Sequence, residues 1–193
     1  MMSSLSTEKE KIRSAMLKMR NSVSQSEVLE KSNLIQLNVL RSNHFAVSES
    51  LGVYLPIDNE VRTQEIIQRG LDSAKKVALP SIESNRMRFY QLDDSLLRES
   101  SLAIGKFGIR EPHKRGAEIT KLDLLIVPGI AFDFGGARIG YGRGYFDRYI
   151  TNANVSFSLG LGYQFQLVSR PLPQSNLDQR INGLSTENGI LYF

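Results

Sequence analysis

The sequence predicts an α/β fold built on a largely parallel sheet. Three observations carry this expectation. Strand-like apolar runs alternate with helical patterns along most of the chain, the order that βαβ units produce. The run "LDLLIVPGIAF", residues 122–132, is nearly continuous in apolar residues, as a strand covered on both faces must be. Two helix-start signals precede the first strand.

Those signals are Thr7 to Glu10 and Ser24 to Glu27. Each is a hydroxyl followed three residues later by a glutamate, the pattern of a capping box. Helices are expected over about 7–21, with Ile12, Met16 and Met19 on one stripe, and about 24–42, with Val28, Ile35 and further leucines to Leu40 in the pattern. "SLGVYLPI", residues 50–57, reads as a strand ending at Pro56. "RTQEIIQRGLDSAKK" reads as a helix capped by Thr63. "KVALPSI" (76–82) and "MRFYQL" (87–92) read as two further strands. Residues 93–121 are the least regular stretch. After the run 122–132, "VSFSLGLGY" (155–163) is another strand, and a last short one lies near 190–193. No repeat or low-complexity linker divides the chain, so residues 1–193 are expected to form a single domain.

Composition narrows the chemistry. The 193 residues are 41% hydrophobic, enough for a proper core. Cysteine is absent, which excludes disulfides, thiolate metal sites and cysteine nucleophiles, and suits a reducing, cytoplasmic setting. The opening "MMSSLSTEKEKIRSAM" has no apolar segment of the secretory kind, and no run approaches the roughly 20 apolar residues of a membrane helix. A net charge of +4 favours anionic ligands without singling out nucleic acid. His44 and His113 share no metal-ligand spacing, and no G-x-S-x-G elbow is present.

The densest chemistry lies in "FDFGGARIGYGRGYFDRY", residues 132–149. Glycines at 140, 142 and 144 leave backbone bare enough to close on a phosphate chain. Arg138 and Arg143 offer forked donors for phosphate oxygens. Asp147 is a hard oxygen ligand suited to Mg²⁺ beside phosphates. Tyr141, Tyr145 and Phe146 could wall a flat ring. The segment matches neither G-x-x-x-x-G-K-[ST] nor G-x-G-x-x-G. Residue content alone leaves three readings open: a phosphate loop, an irregular glycine turn entering a helix with solvated arginines, or a basic aromatic loop stacking on single-stranded RNA. Elsewhere, Lys9, Lys11 and Arg13 lie on the first helix, where Lys9 and Arg13 share a face; they could reach a polyphosphate or form a solvated basic face. Glu60 could bind a polar heterocycle edge or be a loop acid. Phe107, between glycines, could stack on a ligand or fill a small core contact.

In order, these residues resemble the 5-formyltetrahydrofolate cyclo-ligase family, also called methenyltetrahydrofolate synthetases. The family signature reads approximately V-P-G-x-A-F-D-x-x-G-x-R-[LI]-G-x-G-x-G-[YF]-[YF]-D, and stands here as "VPGIAFDFGGARIGYGRGYFD", residues 127–147. Weaker elements follow the same order: Lys9 and Arg13, Glu60 and Thr63, Lys75 to Pro80, Met87 to Phe89, and Gly108 to Pro112. The resemblance implies a three-layer α/β/α sandwich related to sugar-phosphate isomerases and CoA transferases. It implies an ATP- and Mg²⁺-dependent closure of 5-formyltetrahydrofolate to 5,10-methenyltetrahydrofolate, through a phosphorylated formyl group attacked by N10. Lys9 and Arg13 would contact ATP phosphates. Arg138, Ile139, Gly140, Tyr141, Gly142, Arg143, Gly144, Tyr145 and Phe146 would form the ATP loop. Arg143 and Tyr145 would be catalytic, and Asp147 would hold Mg²⁺. Tyr54, Leu55, Glu60, Phe107, Tyr145 and Phe146 would line the folate site. Three positions depart from the common pattern: Arg143 replaces glycine or lysine, Phe146 replaces tyrosine, and Asn182 stands where an aspartate often helps the metal, leaving Asp178 as a substitute. The expected partners are small molecules, with no nucleic acid and no membrane, and the expected state is a monomer. The rival readings are an enzyme acting on another formyl or acyl compound, and a nucleotide- or RNA-binding protein without turnover.

Overall fold

A computed structural model describes residues 4–92, 102–104, 110–112 and 116–193. Helix α1 (Ser4–Asn21) leads into α2 (Gln25–Leu40), the short α3 (Asn43–Val47) and strand β1 (Ser50–Gly52). Helix α4 (Gln64–Asp72) precedes the hairpin β2 (Lys76–Glu83) and β3 (Arg86–Gln91). Short strands β4 (Leu102–Ile104) and β5 (Arg110–Pro112) pair with each other within the stretch expected to be irregular. The central β6 (Lys121–Pro128) is followed by β7 (Ala131–Asp133), β8 (Arg138–Ile139), α5 (Tyr145–Asn152), β9 (Asn154–Leu161), a 3₁₀ turn at Gln164–Gln166, β10 (Leu167–Val168), β11 (Gly183–Thr186) and β12 (Gly189–Tyr192).

Among the described residues, seven strands form the main sheet in the order β12-β11-β9-β6-β1-β2-β3. The inner neighbours run parallel, and each edge is closed by an antiparallel pair, β2 with β3 and β11 with β12. This is the expected α/β class with a largely parallel sheet. Leu124, Leu125, Ile126 and Val127 of β6 are fully buried, which explains why this strand reads as an unbroken apolar run. On one face, Val28, Ile35 and Val39 of α2 and Ile66 and Ile67 of α4 pack on Leu51, Val77, Leu124 and Leu159. On the other, Phe146, Tyr149 and Ile150 of α5 pack against Phe89, Leu125, Val127 and Phe132. Helices on both faces make three layers. A small third cluster joins Ile12 and Met16 of α1 to Ala131, Ala137 and Ile139, which sets α1 over the glycine-rich segment. Met19, expected on that same stripe, is 47% exposed.

Several expected boundaries shift for identifiable reasons. Helix α1 is described from Ser4, so Thr7 sits inside it rather than at its start. Ser24 does cap α2: its hydroxyl accepts from the Glu27 N–H at 3.3 Å while the Ser24 N–H donates to Glu27 Oε2 at 3.1 Å. That helix stops at Leu40 rather than 42, because Ser42 turns its hydroxyl onto the Phe45 N–H at 3.1 Å and starts α3. β1 ends at Gly52, well short of Pro56. Thr63 occupies the cap position of α4, yet its hydroxyl donates to the Tyr54 carbonyl at 2.8 Å instead of capping. The apolar run 122–132 breaks after Pro128. A Cβ on Gly129 would lie 2.3 Å from the Phe132 ring, so the chain bends there and Phe132 folds back against the strand end.

Loss of the Ser24 cap should weaken α2 and the sheet face it covers. Ser24→Ala is expected to lower stability by about 1 kcal/mol, seen as a fall of roughly 2–4 °C in thermal midpoint. An unchanged midpoint would show that the cap is dispensable.

Candidate active site

A cleft of about 820 Å³ opens beyond the carboxyl ends of β1 and β6, the usual ligand position in an open α/β sheet. Tyr54, Leu55 and Glu60 line one end, Lys9 and Arg13 the α1 side, and residues 138–147 the other end. The structure therefore brings together sequence-predicted residues from three separate parts of the chain. Phe107 and His113 lie outside the described residues. Asn182 is drawn away from the cleft: its Oδ1 accepts from the N–H and the hydroxyl of Ser158 at 2.8 and 2.9 Å. Asp178 does line the cleft.

The glycine-rich segment is shaped by Asp133. Its Oδ1 accepts from the N–H groups of Gly135 and Ala137, both at 2.9 Å, and its Oδ2 accepts from Leu172 N–H at 2.8 Å. This buried carboxylate folds the turn that returns the chain along β8. Arg138 then reaches back: Nη2 donates to Asp147 Oδ1 at 2.9 Å, and Nη1 donates to the Pro128 carbonyl at 3.3 Å. Between those anchors, Gly142 and Gly144 adopt left-handed backbone with φ of +88° and +64°. Gly144 is the N-cap of α5 and supplies no side-chain cap, so the first-turn N–H groups of this helix border the cleft. Arg13 Nε donates to the Gly140 carbonyl at 2.8 Å, which fastens α1 to the loop.

Cations here are held by carboxylates. Lys9 pairs with Asp178, and Arg13 with Glu10. Burial pushes the Asp178 carboxyl up, but hydrogen bonds from Lys9 and Ser175 outweigh it and leave the group below its ordinary range. Asp147 Oδ1 also accepts from Gln179 N–H at 3.2 Å, and Oδ2 takes no hydrogen bond among the described residues. No group of three His, Cys, Asp or Glu converges among the described residues. One carboxylate with one open oxygen fits Mg²⁺ held mainly by phosphates and water, rather than an all-protein cage.

The opposite end is built around Glu60. The Tyr54 hydroxyl donates to the Val61 carbonyl at 2.9 Å, and the Ile57 N–H donates to Glu60 Oε2 at 3.0 Å, so the loop 54–63 curls its carboxylate into the cleft wall. Glu60 is only 4% exposed. Burial raises its pKa to about 7, against the opposing pull of Arg20, the Ile57 N–H and the Tyr141 hydroxyl. Tyr141 itself is raised to about 12, first by burial and then by Glu60. Arg20 and Asn59 belong to this end, although neither stood out in the sequence. Arg20 lies seven residues after Arg13, two turns along the same helix face, which is the signal that could have found it. Asn59 donates to the carbonyls of Arg20 and Val23 at 3.1 and 2.9 Å.

A carboxyl whose folded pKa is raised stabilises the fold at low pH, and that contribution is lost as pH rises through the folded pKa. Glu60 therefore costs stability between about pH 4.5 and just above 7. Glu60→Gln should flatten this loss, so that urea midpoints at pH 5.5 and 8 lie closer together than in the parent. An unchanged gap would place the titration elsewhere.

The model of the 5-formyltetrahydrofolate cyclo-ligase family matches residues 5–187. A Caenorhabditis elegans protein named probable 5-formyltetrahydrofolate cyclo-ligase is 27% identical over 205 residues, spanning 100% of this chain and 98% of its own length. A Schizosaccharomyces pombe protein of the same name is 34% identical, covering 68% of this chain and 71% of that one. Among solved structures, 5,10-methenyltetrahydrofolate synthetase from Aquifex aeolicus superposes with a TM-score of 0.82 at 30% identity, over 95% of this chain and 92% of that one. The synthetase from Mycoplasma pneumoniae matches at 0.71 and 17% identity, over 93% and 98% of the two chains, a likeness of fold. With the family model spanning nearly the whole chain and the glycine loop, α1 cations and Glu60 gathered on one cleft, this protein belongs to the 5-formyltetrahydrofolate cyclo-ligase family and is a ligase.

Proposed function

We propose that the protein closes 5-formyltetrahydrofolate to 5,10-methenyltetrahydrofolate with ATP, acting as a single-domain, monomeric, cytoplasmic enzyme. The observation that carries this reading is the shared cleft, with an acceptor carboxylate at one end and glycines and cations at the other. Such a cleft suits two substrates, one with a hydrogen-bonding heterocycle and one with a polyphosphate.

In this reading the formyl oxygen attacks the γ-phosphorus of ATP, and ADP leaves. The formyl carbon becomes the electrophilic centre of an iminium phosphate. N10 attacks that carbon, the C–O bond breaks, and the original formyl oxygen departs within inorganic phosphate. The N10 proton passes to phosphate or water. The protein's task is alignment and charge neutralisation rather than covalent catalysis. Lys9 and Arg13 would exchange their carboxylate partners for phosphate oxygens. The backbone of residues 140–145 and the first turn of α5 would cradle the phosphates. Arg143, on the exposed crest of the loop, would meet the transferred group. Tyr145 and Phe146 would wall the reacting formyl group and exclude water from the iminium phosphate. Tyr54, Leu55 and Glu60 would seat the pterin. Mg²⁺ beside Asp147 would supply neutralisation of the phosphate charge.

The test is direct. The purified protein, mixed with 5-formyltetrahydrofolate and MgATP, should generate the near-ultraviolet band of the methenyl product only when ATP is present. No band from a protein that binds ATP would remove the folate reading. Arg143→Ala should lower kcat by roughly 100-fold and leave folate affinity little changed. An unaltered kcat would take Arg143 out of the phosphoryl-transfer role.

A further inference from the structure

Arg20 belongs to none of the signature elements, yet it is the most deeply committed cation among the described residues. It sits in the last turn of α1 and is 1% exposed. Its Nη1 lies 3.8 Å from Glu60 Oε1. Its Nη2 donates to the Tyr141 hydroxyl, and the guanidinium carbon lies 5.6 Å from the centre of that ring. Its Nε has no acceptor among the described residues. Burying a guanidinium is costly, and an unmade N–H bond adds to the cost. Hydrophobic side chains of similar volume in place of both Arg20 and Glu60 would hold this corner at least as well. Stability therefore does not account for a buried pair here.

The direction of the hydrogen bonds does. Arginine only donates. A tyrosine hydroxyl that accepts from Arg20 has its single proton left to give, and Glu60, whose Oε1 lies 3.8 Å from the same guanidinium, is the neighbouring carboxylate that would take it. The other Glu60 oxygen accepts from the Ile57 N–H. From α1, from the glycine loop and from its own loop, Glu60 thus faces donors. Asp58 is the charged neighbour that opposes them. Tyr54 stands beside the group with its own proton spent on Val61.

We infer that Arg20 is a positioning residue for the substrate: it presents Glu60 as an ionised acceptor to a heterocycle edge that carries N–H donors, and ties that carboxylate through Tyr141 to the phosphate-side loop. This rests on the folate reading of the cleft. An ionised carboxylate only accepts, whereas a protonated one offers an O–H. Arg20 therefore selects aminopyrimidinone-type edges over edges that present carbonyls. It acts through Glu60 without itself meeting the reacting atoms.

The experiment pairs Arg20→Gln with Arg20→Lys. Binding of 5-formyltetrahydrofolate is measured by calorimetry from pH 6 to 9, with a non-hydrolysable ATP analogue as control, and the Glu60 carboxyl is followed by ¹³C NMR in the unliganded protein. In the parent, folate affinity should fall as pH drops through about 7, the value at which Glu60 takes a proton. Arg20→Gln should move the Glu60 midpoint up and raise folate Kd near pH 7 by roughly fivefold, the change that a midpoint about one pH unit higher produces there. Higher pH should restore part of that affinity, and the nucleotide control should move little. Arg20→Lys should keep the midpoint near the parent's. A folded Arg20→Gln with the parental midpoint and folate Kd overturns the inference while leaving the functional reading intact. Failure of the parent to bind the folate overturns both. Should Arg20→Gln not fold, Tyr141→Phe provides the same readout: loss of the relayed proton must raise the Glu60 midpoint, and an unmoved midpoint overturns the inference.

Discussion

The cleft depends on the ion pair between Arg138 and Asp147. Arg138 is almost wholly buried and spans three elements: it bonds Asp147 at the start of α5, the Pro128 carbonyl at the end of β6, and lies 5.8 Å from the centre of the Phe146 ring. Removing one partner of such a pair leaves an uncompensated charge and costs about 3–5 kcal/mol. Asp147 also sits in the first turn of α5, where a negative charge complements the helix dipole. The consequence is geometric. Residues 138 to 147 become a closed loop with joined ends, and its sharp turns fall on Gly142 and Gly144, the two positions with left-handed backbone. Everything that faces the cleft from this side inherits its position from that clasp.

Charge is arranged differently at the two ends. At the glycine end the cations of α1 are already engaged, Lys9 by Asp178 and Arg13 by Glu10 and the Gly140 carbonyl. These carboxylates act as internal counterions that keep the lysine and arginine extended toward the cleft. In the proposed function, an incoming polyphosphate would replace one acceptor by another rather than order a free side chain, which would lower the entropic cost of binding. At the Glu60 end the problem is reversed, since a carboxylate must survive burial. Donors from three directions accomplish this, and their success is only partial, as its pKa near 7 records.

Much of this was legible in the sequence because it depended on local pattern. The apolar run in β6, the Ser24 capping box and the glycine spacing each reflect a physical requirement confined to a few residues. Glu60 and Lys9 could be named as candidates, but residue type and placement left each open, and only the family resemblance implied roles for them. Other features depended on distant contacts. The run 122–132 hid a break, because Phe132 is apolar whether it continues a strand or folds back over Gly129. Met19 looked like Met16, but it falls past the small cluster that buries α1. Thr63 kept the cap position and lost the cap bond to a carbonyl nine residues earlier. Arg20 resembled an ordinary basic helix end; its burial comes from loops 39 and 121 residues away in sequence.

The same long reach has a consequence for how the protein comes into being. Helix α1 is the first described element, yet Arg13 bonds a carbonyl 127 residues later and Lys9 pairs with a carboxylate 169 residues later. On the ribosome, α1 emerges while none of its cleft partners has been made. Its Ile12 and Met16 must stay uncovered until β7, β8 and the segment after β10 arrive. Closing contacts of such separation is slow relative to local helix formation. The main sheet can assemble its β1–β2–β3 edge early, whereas the cleft is completed only after Asp178 has been made. Until then the nascent chain holds a partial sheet with α1 short of its cleft partners, and the site forms in a later docking step.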